Sequence, residues 1–259
     1  MKTVLICHDG DLFDQQGLSR WLASFSDLVG IVVLRERRDA LKRRIRREIE
    51  RSGRLRLLDI LVFRLYYRIF LAPQYQAWLA RALAELQSRF GDVPQVPTIY
   101  SHTPNAPEVE AFLRKLQPDL MLARCKFILK ERIFTVPTIG TFVMHPGICP
   151  EYRNAHGCFW ALARRDTTKV GVTLLKVDKG IDTGPVFGYF GYNYDEINES
   201  HMVIQQRCVF ENLDAIAGKL HEIAGGRAQA IGVEGRESAV WGQPWMTKYV
   251  QWKLAARRR

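Results

Sequence analysis

At 259 residues, with 47% hydrophobic and 25% charged residues, the chain has the size and composition of one substantial soluble domain with at most a small appendage. No uncharged apolar run approaches the ~18 residues of a spanning helix, and MKTVLICHDGDLF turns polar after four apolar residues, unlike a secretory signal. The five cysteines (7, 125, 149, 158 and 208) are odd in number and form no CxxC pair, which argues against a disulfide framework or a zinc site and for reduced thiols in the cytoplasm.

In chain order, TVLICH (3–8) reads as a strand, GLSRWLASFS (17–26) as a helix and VGIVVLRE (29–36) as a second strand. The loop after the first strand is a common phosphate site in doubly wound folds, but here it lacks the glycine spacing, and Asp9, Asp11 and Asp14 would repel an anion. His8 reads first as a hydrogen-bonding loop residue and second as a substrate contact. Between Arg35 and Arg68, thirteen Arg and Lys face five acids, and that net +8 supplies most of the chain's +11. This basic segment runs into LRLLDILVFRLYYRIF (55–70), a helical pattern with a wide apolar face, and reads as an insertion at about 37–90. Three roles stay open for segment 35–68: solvated or self-associating helices, a surface for an anionic membrane or carrier, and an RNA surface. The last rests on charge alone, because no RNA-recognition motif is present. Tyr66, Tyr67, Phe70 and Trp78 offer a homodimer interface.

Beyond Pro97, TIYSH, DLMLAR, GTFVMHP and VGVTLLKV read as strands, with a helix at about Pro107–Leu116 and a long amphipathic helix from Ser200 to Ala224. The alternation predicts an α/β fold with a mostly parallel sheet over residues 1–225. Residues 226–259 read as an irregular extension. GTFVMHP delivers His145 to a strand end, and DKGIDTGP places Asp182 in a tight glycine-containing loop after the next strand. Side chains alternate along a strand, so Val143 shares the face of His145 while Phe142 and Met144 point the other way.

MHPGICPEYRN, the GIDTGP loop and the upstream QPDLMLARCKFILKERIF resemble the formyltransferase family, which includes glycinamide ribonucleotide transformylases, methionyl-tRNA formyltransferases and sugar N-formyltransferases. The resemblance spans about 118–186 and implies a Rossmann-like fold. It places His145 and Asp182 at the family's catalytic His and Asp, whereas the catalytic Asn position holds Val143. It implies 10-formyltetrahydrofolate as donor and a primary amine on a small molecule as acceptor, with no metal. His145 would stabilise the oxyanion, and Asp182 would orient it and assist proton removal. The donor would be bordered by Arg124, Lys126, Phe127, Ile128, Leu129, Asp178, Gly180 and Ile181. Tyr152, Arg153, Asn154 and His156 are the acceptor-side residues. A backbone N–H, a water, Asn154 or Lys126 would replace the missing amide. Cys149 and Cys158 flank the site, but nothing in their spacing identifies a Cys–His nucleophile. Two alternatives follow from Val143: a binding or regulatory module that keeps the fold without turnover, and an acyltransferase or hydrolase using another donor.

Overall fold

The computed structural model describes residues 1–35, 53 and 56–258, so most of the basic segment 35–68 lies outside the described residues. The strands are β1 (Lys2–His8), β2 (Asp27–Leu34), β3 (Thr98–Ser101), β4 (Leu120–Ala123), β5 (Gly140–Pro146), β6 (Arg153–Asn154), β7 (Val172–Lys176), β8 (Val186–Phe190) and β9 (Val240–Trp241). Seven of them form one sheet in the order β3-β2-β1-β4-β5-β7-β8. The first five run parallel, and β7 and β8 are antiparallel additions at one edge. Continuous apolar runs such as VLIC in β1 and LMLA in β4 suit this arrangement, since a sheet covered on both sides buries successive side chains whichever way they point.

Helices α1 (Ser19–Phe25), α2 (Ala72–Phe90), α3 (Pro107–Leu116), α4 (Glu131–Phe134), α5 (Gly157–Ala163), α6 (His201–Phe210), α7 (Leu213–Ala224) and α8 (Met246–Ala256) complete the domain. Leu5 and Cys7 of β1 enter a core shared with α1, α2, α5, α6, α7 and α8, while Val4 and Ile6 enter a smaller core with α3 and α4. The sheet is thus the middle of three layers. Helix α3 shows how sequence sets an element's ends: Pro107 starts it, Glu108 and Glu110 occupy its first turn, Arg114 and Lys115 its last, and Gln117 closes it at φ 49°.

Three expectations are corrected. The helix expected from Ser200 to Ala224 is two helices, because the Asn212 side-chain amide donates to the carbonyls of Gly191 and Cys208 and interrupts the ladder. The expected irregular extension contains α8, whose Tyr249, Trp252 and Ala256 are buried in the main core. The expected insertion is integral from Ala72 onward: Trp78, Leu79, Ala82 and Leu86 are core residues of α2, and Trp78, packed between Phe13 and Phe210, is no surface aromatic.

The strand order reverses between β1 and β4: from β1 the chain builds outward through β2 and β3, and from β4 it builds the other way through β5. In open α/β sheets, ligands bind at the carboxyl ends of strands at such a switch point. His8 and the loop after Ala123 occupy it here.

Candidate active site

The site begins where β5 ends. Phe142 and Met144 enter the main core, while Val143 packs towards the opposite side, beside β4 and β7. His145, in register with Thr173 on β7, is only 5% exposed. Thr173 then shapes the turn: its hydroxyl donates to the Gly147 carbonyl at 2.6 Å and accepts from the Cys149 N–H at 3.0 Å. The returning chain crosses this turn at Gly157, where an added Cβ would stand 2.4 Å from the Pro146 oxygen and 2.7 Å from the Tyr152 oxygen. Glycine is the residue that permits so close a backbone crossing.

One carboxylate and one backbone carbonyl meet the imidazole here. His145 Nδ1 lies 3.3 Å from Asp182 Oδ2, and Nε2 lies 2.7 Å from the Tyr152 carbonyl oxygen. A carbonyl accepts only, so Nε2 carries a proton in this contact, and a second proton on Nδ1 would let the ring donate to Asp182 as well. The same Asp182 oxygen accepts the Asn154 N–H at 2.8 Å, and the Arg153 guanidinium donates to the Ile181 carbonyl at 3.0 Å. Asn154, His156 and Asp182 all have positive φ (79°, 54° and 51°), so three non-glycine residues of one site hold a conformation that costs free energy elsewhere.

A C-terminal segment fastens this assembly. Strand β9 pairs with β6, the Asn154 amide donates to the Trp241 carbonyl, and the Trp241 indole donates to the Glu151 carbonyl at 2.8 Å. Trp241 stacks between Tyr152 and Trp160. Arg236 and Lys169 both bind the Glu151 carboxylate.

The proposed site residues do not all face one cleft. Arg124 is largely covered, its side chain 11% exposed, with Nε 3.0 Å from Asp14 Oδ1 and Nη1 donating to the Met144 carbonyl at 2.8 Å, so its guanidinium is engaged within the fold. Burial pushes the Asp14 carboxyl up to about 7, against the opposing pull of Arg124. Asp14 therefore does not join Asp9 and Asp11 in the first loop. Asp178 turns into its own loop, accepting from the Gly180 N–H and the Thr183 hydroxyl. Tyr152 is buried, its hydroxyl bound to Asp166, so its carbonyl rather than its ring serves the site. The Asn154 amide is held by Trp241 and is not offered to a ligand. Leu129 is buried and Phe127 half-buried beside His8, which accepts the Lys126 N–H at 3.1 Å. Ile128 and Ile181 are exposed, as is Lys126. The loops bearing the two isoleucines are linked by a Lys179–Glu131 ion pair at 3.0 Å. Burial pushes the Cys149 thiol up, which keeps it protonated and unsuited to nucleophilic attack. Among the described residues, no cluster could hold a metal ion.

Two cavities meet at Lys126 and Met202. One, about 320 Å³, lies at the switch point between His8, Asp9, Asp11, Tyr75 and Gln206. The other, about 340 Å³, is lined by Phe63, Arg64, Tyr67, His156, His201 and Pro244. Of these, His201, Arg64, Gln206 and Met202 escaped the sequence reading, because no motif marks residues that reach a site from helices far along the chain. Burial, with Lys126 and Arg64 nearby, lowers His156 to about 4, and burial beside His156 and Lys253 also lowers His201 well below the usual imidazole value. Both histidines are neutral in the folded protein, while the unfolded chain protonates them near 6.5. The unfolded state thus binds more protons between about 6.5 and 4, and the histidine contribution to stability is lost as pH falls through that window. Asp14, with its raised value, acts in the opposite sense, so the diagnostic is a comparison. Urea denaturation of His201→Phe should show a shallower loss of stability over this window than the parent chain, and identical slopes would refute the assignment.

The sequence model of the family described as Formyl transferase matches residues 69–216, more than half the chain. Part of the expected insertion, from residue 69 to 90, therefore lies within the family segment. A methionyl-tRNA formyltransferase of Dehalococcoides mccartyi is 38% identical over 82 residues, 31% of this chain and 26% of its own length. One from Xanthomonas campestris pv. campestris is 32% identical over 120 residues, 46% of this chain and 39% of its own length. The matched segments thus cover well under half of these relatives. Among solved structures, the phosphoribosylglycinamide formyltransferase of Anaplasma phagocytophilum superposes with a TM-score of 0.56 at 12% identity, over 93% of this chain and 96% of that one. A sugar N-formyltransferase from a Shewanella species gives 0.55 at 13% identity, over 99% and 88%. These two likenesses establish the shared fold.

Proposed function

The chain belongs to the formyltransferase family, and from that premise we propose that it moves a formyl group from 10-formyltetrahydrofolate to a primary amine of a small molecule. The observation that carries this reading is the His145–Asp182 contact, made across two loops and braced by the Asn154 N–H. The donor would supply an activated formyl carbon bonded to a nitrogen that can leave. Ile128 and Ile181, exposed on loops tied by Lys179 and Glu131, offer apolar contact to a flat ring system, and the loop backbones offer hydrogen bonds. Arg124 and Asp178 would act indirectly, by holding those loops.

For the chemistry, the amine nitrogen must bond to the formyl carbon, the bond to the donor nitrogen must break, and one amine proton must end on that nitrogen. Asp182 would orient the His145 ring, whose Nε2–H would leave the Tyr152 carbonyl to meet the oxygen that gains charge, and the Asp182 carboxylate would draw the proton from the attacking amine. Val143 brings no hydrogen-bond donor. Lys126, exposed and lining both cavities, would take the place of the absent amide.

A second reading has its own observation: Nε2 of His145 is held by the Tyr152 carbonyl, while Val143 is mute. A binding module that kept the fold would show this. Formylation of an amine panel, run beside thermal stabilisation by folates, separates the two. Transfer supports the enzyme, and stabilisation without turnover supports the module. If neither occurs, the folate reading is abandoned. Val143→Asn should raise transfer by roughly 10²–10³-fold where the site has lost a donor, since one such donor is typically worth about 2.7–4 kcal/mol. A fall in rate would mean that the pocket is organised around valine.

A further inference from the structure

Residues 56–71 form a helical stretch that continues directly into α2, with a π-helical segment at Tyr67–Leu71. It is apolar on two opposite faces. Ile60, Phe63 and Leu71 are buried in the protein, and Phe63 and Tyr67 line the 340 Å³ cavity. On the other face Leu58 (62% exposed), Leu61, Val62, Leu65 (61%) and Ile69 (53%) stand in water. Their spacing of three, four and seven residues places them on one helical stripe, and Phe70 is exposed at its end. The packing already described explains the first face and leaves the second without a partner.

The charge around the stripe indicates what covers it. Arg68 is exposed at the edge of the stripe, Arg56 is exposed at the start of the stretch with its guanidinium over the Trp245 ring, and the single carboxylate, Asp59, is engaged by the N–H and hydroxyl of Thr247. Through that contact and the Tyr66–Tyr249 ring pair, α8 lies alongside. It adds exposed Val250 and Leu254, and residues 246–258 include Lys248, Arg257 and Arg258 but no acid. Upstream in the sequence, residues 35–55 carry ten Arg and Lys against four acids. Exposed aliphatic side chains with an excess of cations beside them, and the one carboxylate of the stretch engaged by Thr247, match a surface that is anionic outside and hydrocarbon within.

We propose that this face docks on the surface of an anionic lipid bilayer, the aliphatic stripe entering the headgroup boundary and the arginines meeting lipid phosphates. Two copies pairing through it would bring like charges together, and a nucleic acid has no apolar phase to receive the aliphatic side chains. Among the described residues no helix is long and apolar enough to cross a membrane, so the contact is interfacial.

The test is co-sedimentation of the full chain with phosphatidylcholine vesicles, with and without phosphatidylglycerol. Binding should require the anionic lipid, weaken as salt rises, and fall roughly tenfold for each of Leu58→Ser and Leu65→Ser, which remove apolar contacts without touching the core. Absence of binding to anionic vesicles would overturn the proposal, as would binding that ignores both substitutions. So would a dimer in vesicle-free sedimentation velocity that the same substitutions dissociate, since that would assign the stripe to a second copy.

Discussion

Replacing His145 with alanine should lower amine formylation by about 10²–10⁴-fold, the range expected when a positioned acid–base group is lost. The size of the effect follows from how few donors the site retains. On the proposed mechanism Val143 cannot polarise the formyl oxygen, so the His145 Nε2–H, released from the Tyr152 carbonyl, would carry more of the task than it would beside an amide. Asp182→Asn should also lower the rate, with the loop intact: an amide oxygen still accepts the Asn154 N–H, but the carboxylate that would take the amine proton is gone. The two variants therefore differ in kind, and single-turnover rates with circular dichroism as a folding control will distinguish them. Full activity in both would remove His145 and Asp182 from the mechanism.

The largest effect on stability is expected at Gly157→Ala. Its Cβ would meet the Pro146 oxygen at 2.4 Å, the Tyr152 oxygen at 2.7 Å and the Gly147 Cα at 2.8 Å, all backbone atoms with no rotamer to escape into. Overpacking usually costs about 1–3 kcal/mol, and a clash confined to backbone belongs at or beyond the upper end, above about 3 kcal/mol. Urea denaturation measures it directly. Because Pro146 and Tyr152 flank the imidazole, the strain should also displace His145, so whatever folded protein remains should transfer formyl groups poorly. A variant as stable as the parent would mean that the two segments are not held so close.

The sheet was legible because β1, β2, β4, β5 and β7 are apolar runs of strand length bounded by polar turns, and buried parallel strands leave that trace. His145, Asp182 and the orientation of Val143 followed from a local motif and the two-residue period of a strand. Arg124 was not legible in the same way. Its partner Asp14 lies 110 residues away, and only the folded sheet shows that this cation is committed to an internal pair. Helix α8 was missed for a related reason. Its buried residues Tyr249, Trp252 and Ala256 are interspersed with lysines and exposed apolar residues, so the amphipathic pattern is weak and the aromatic contacts from 63, 66 and 160 decide its place. The stretch 56–71 reads simply as apolar, and sequence alone does not divide such a helix into a face that packs and a face that waits.

The pairing of β9 with β6 bears on the order in which the molecule is made. Asn154 is held by a residue 87 positions later, and Glu151 by contacts 85 and 90 positions later. When a ribosome has just delivered Asp182, the imidazole and carboxylate both exist but the strand that pins their loops does not. Folding from the amino-terminal side can complete the sheet first and the site last. A fragment ending at residue 216, where the family match stops, would inherit the His145–Asp182 pair without its clasp.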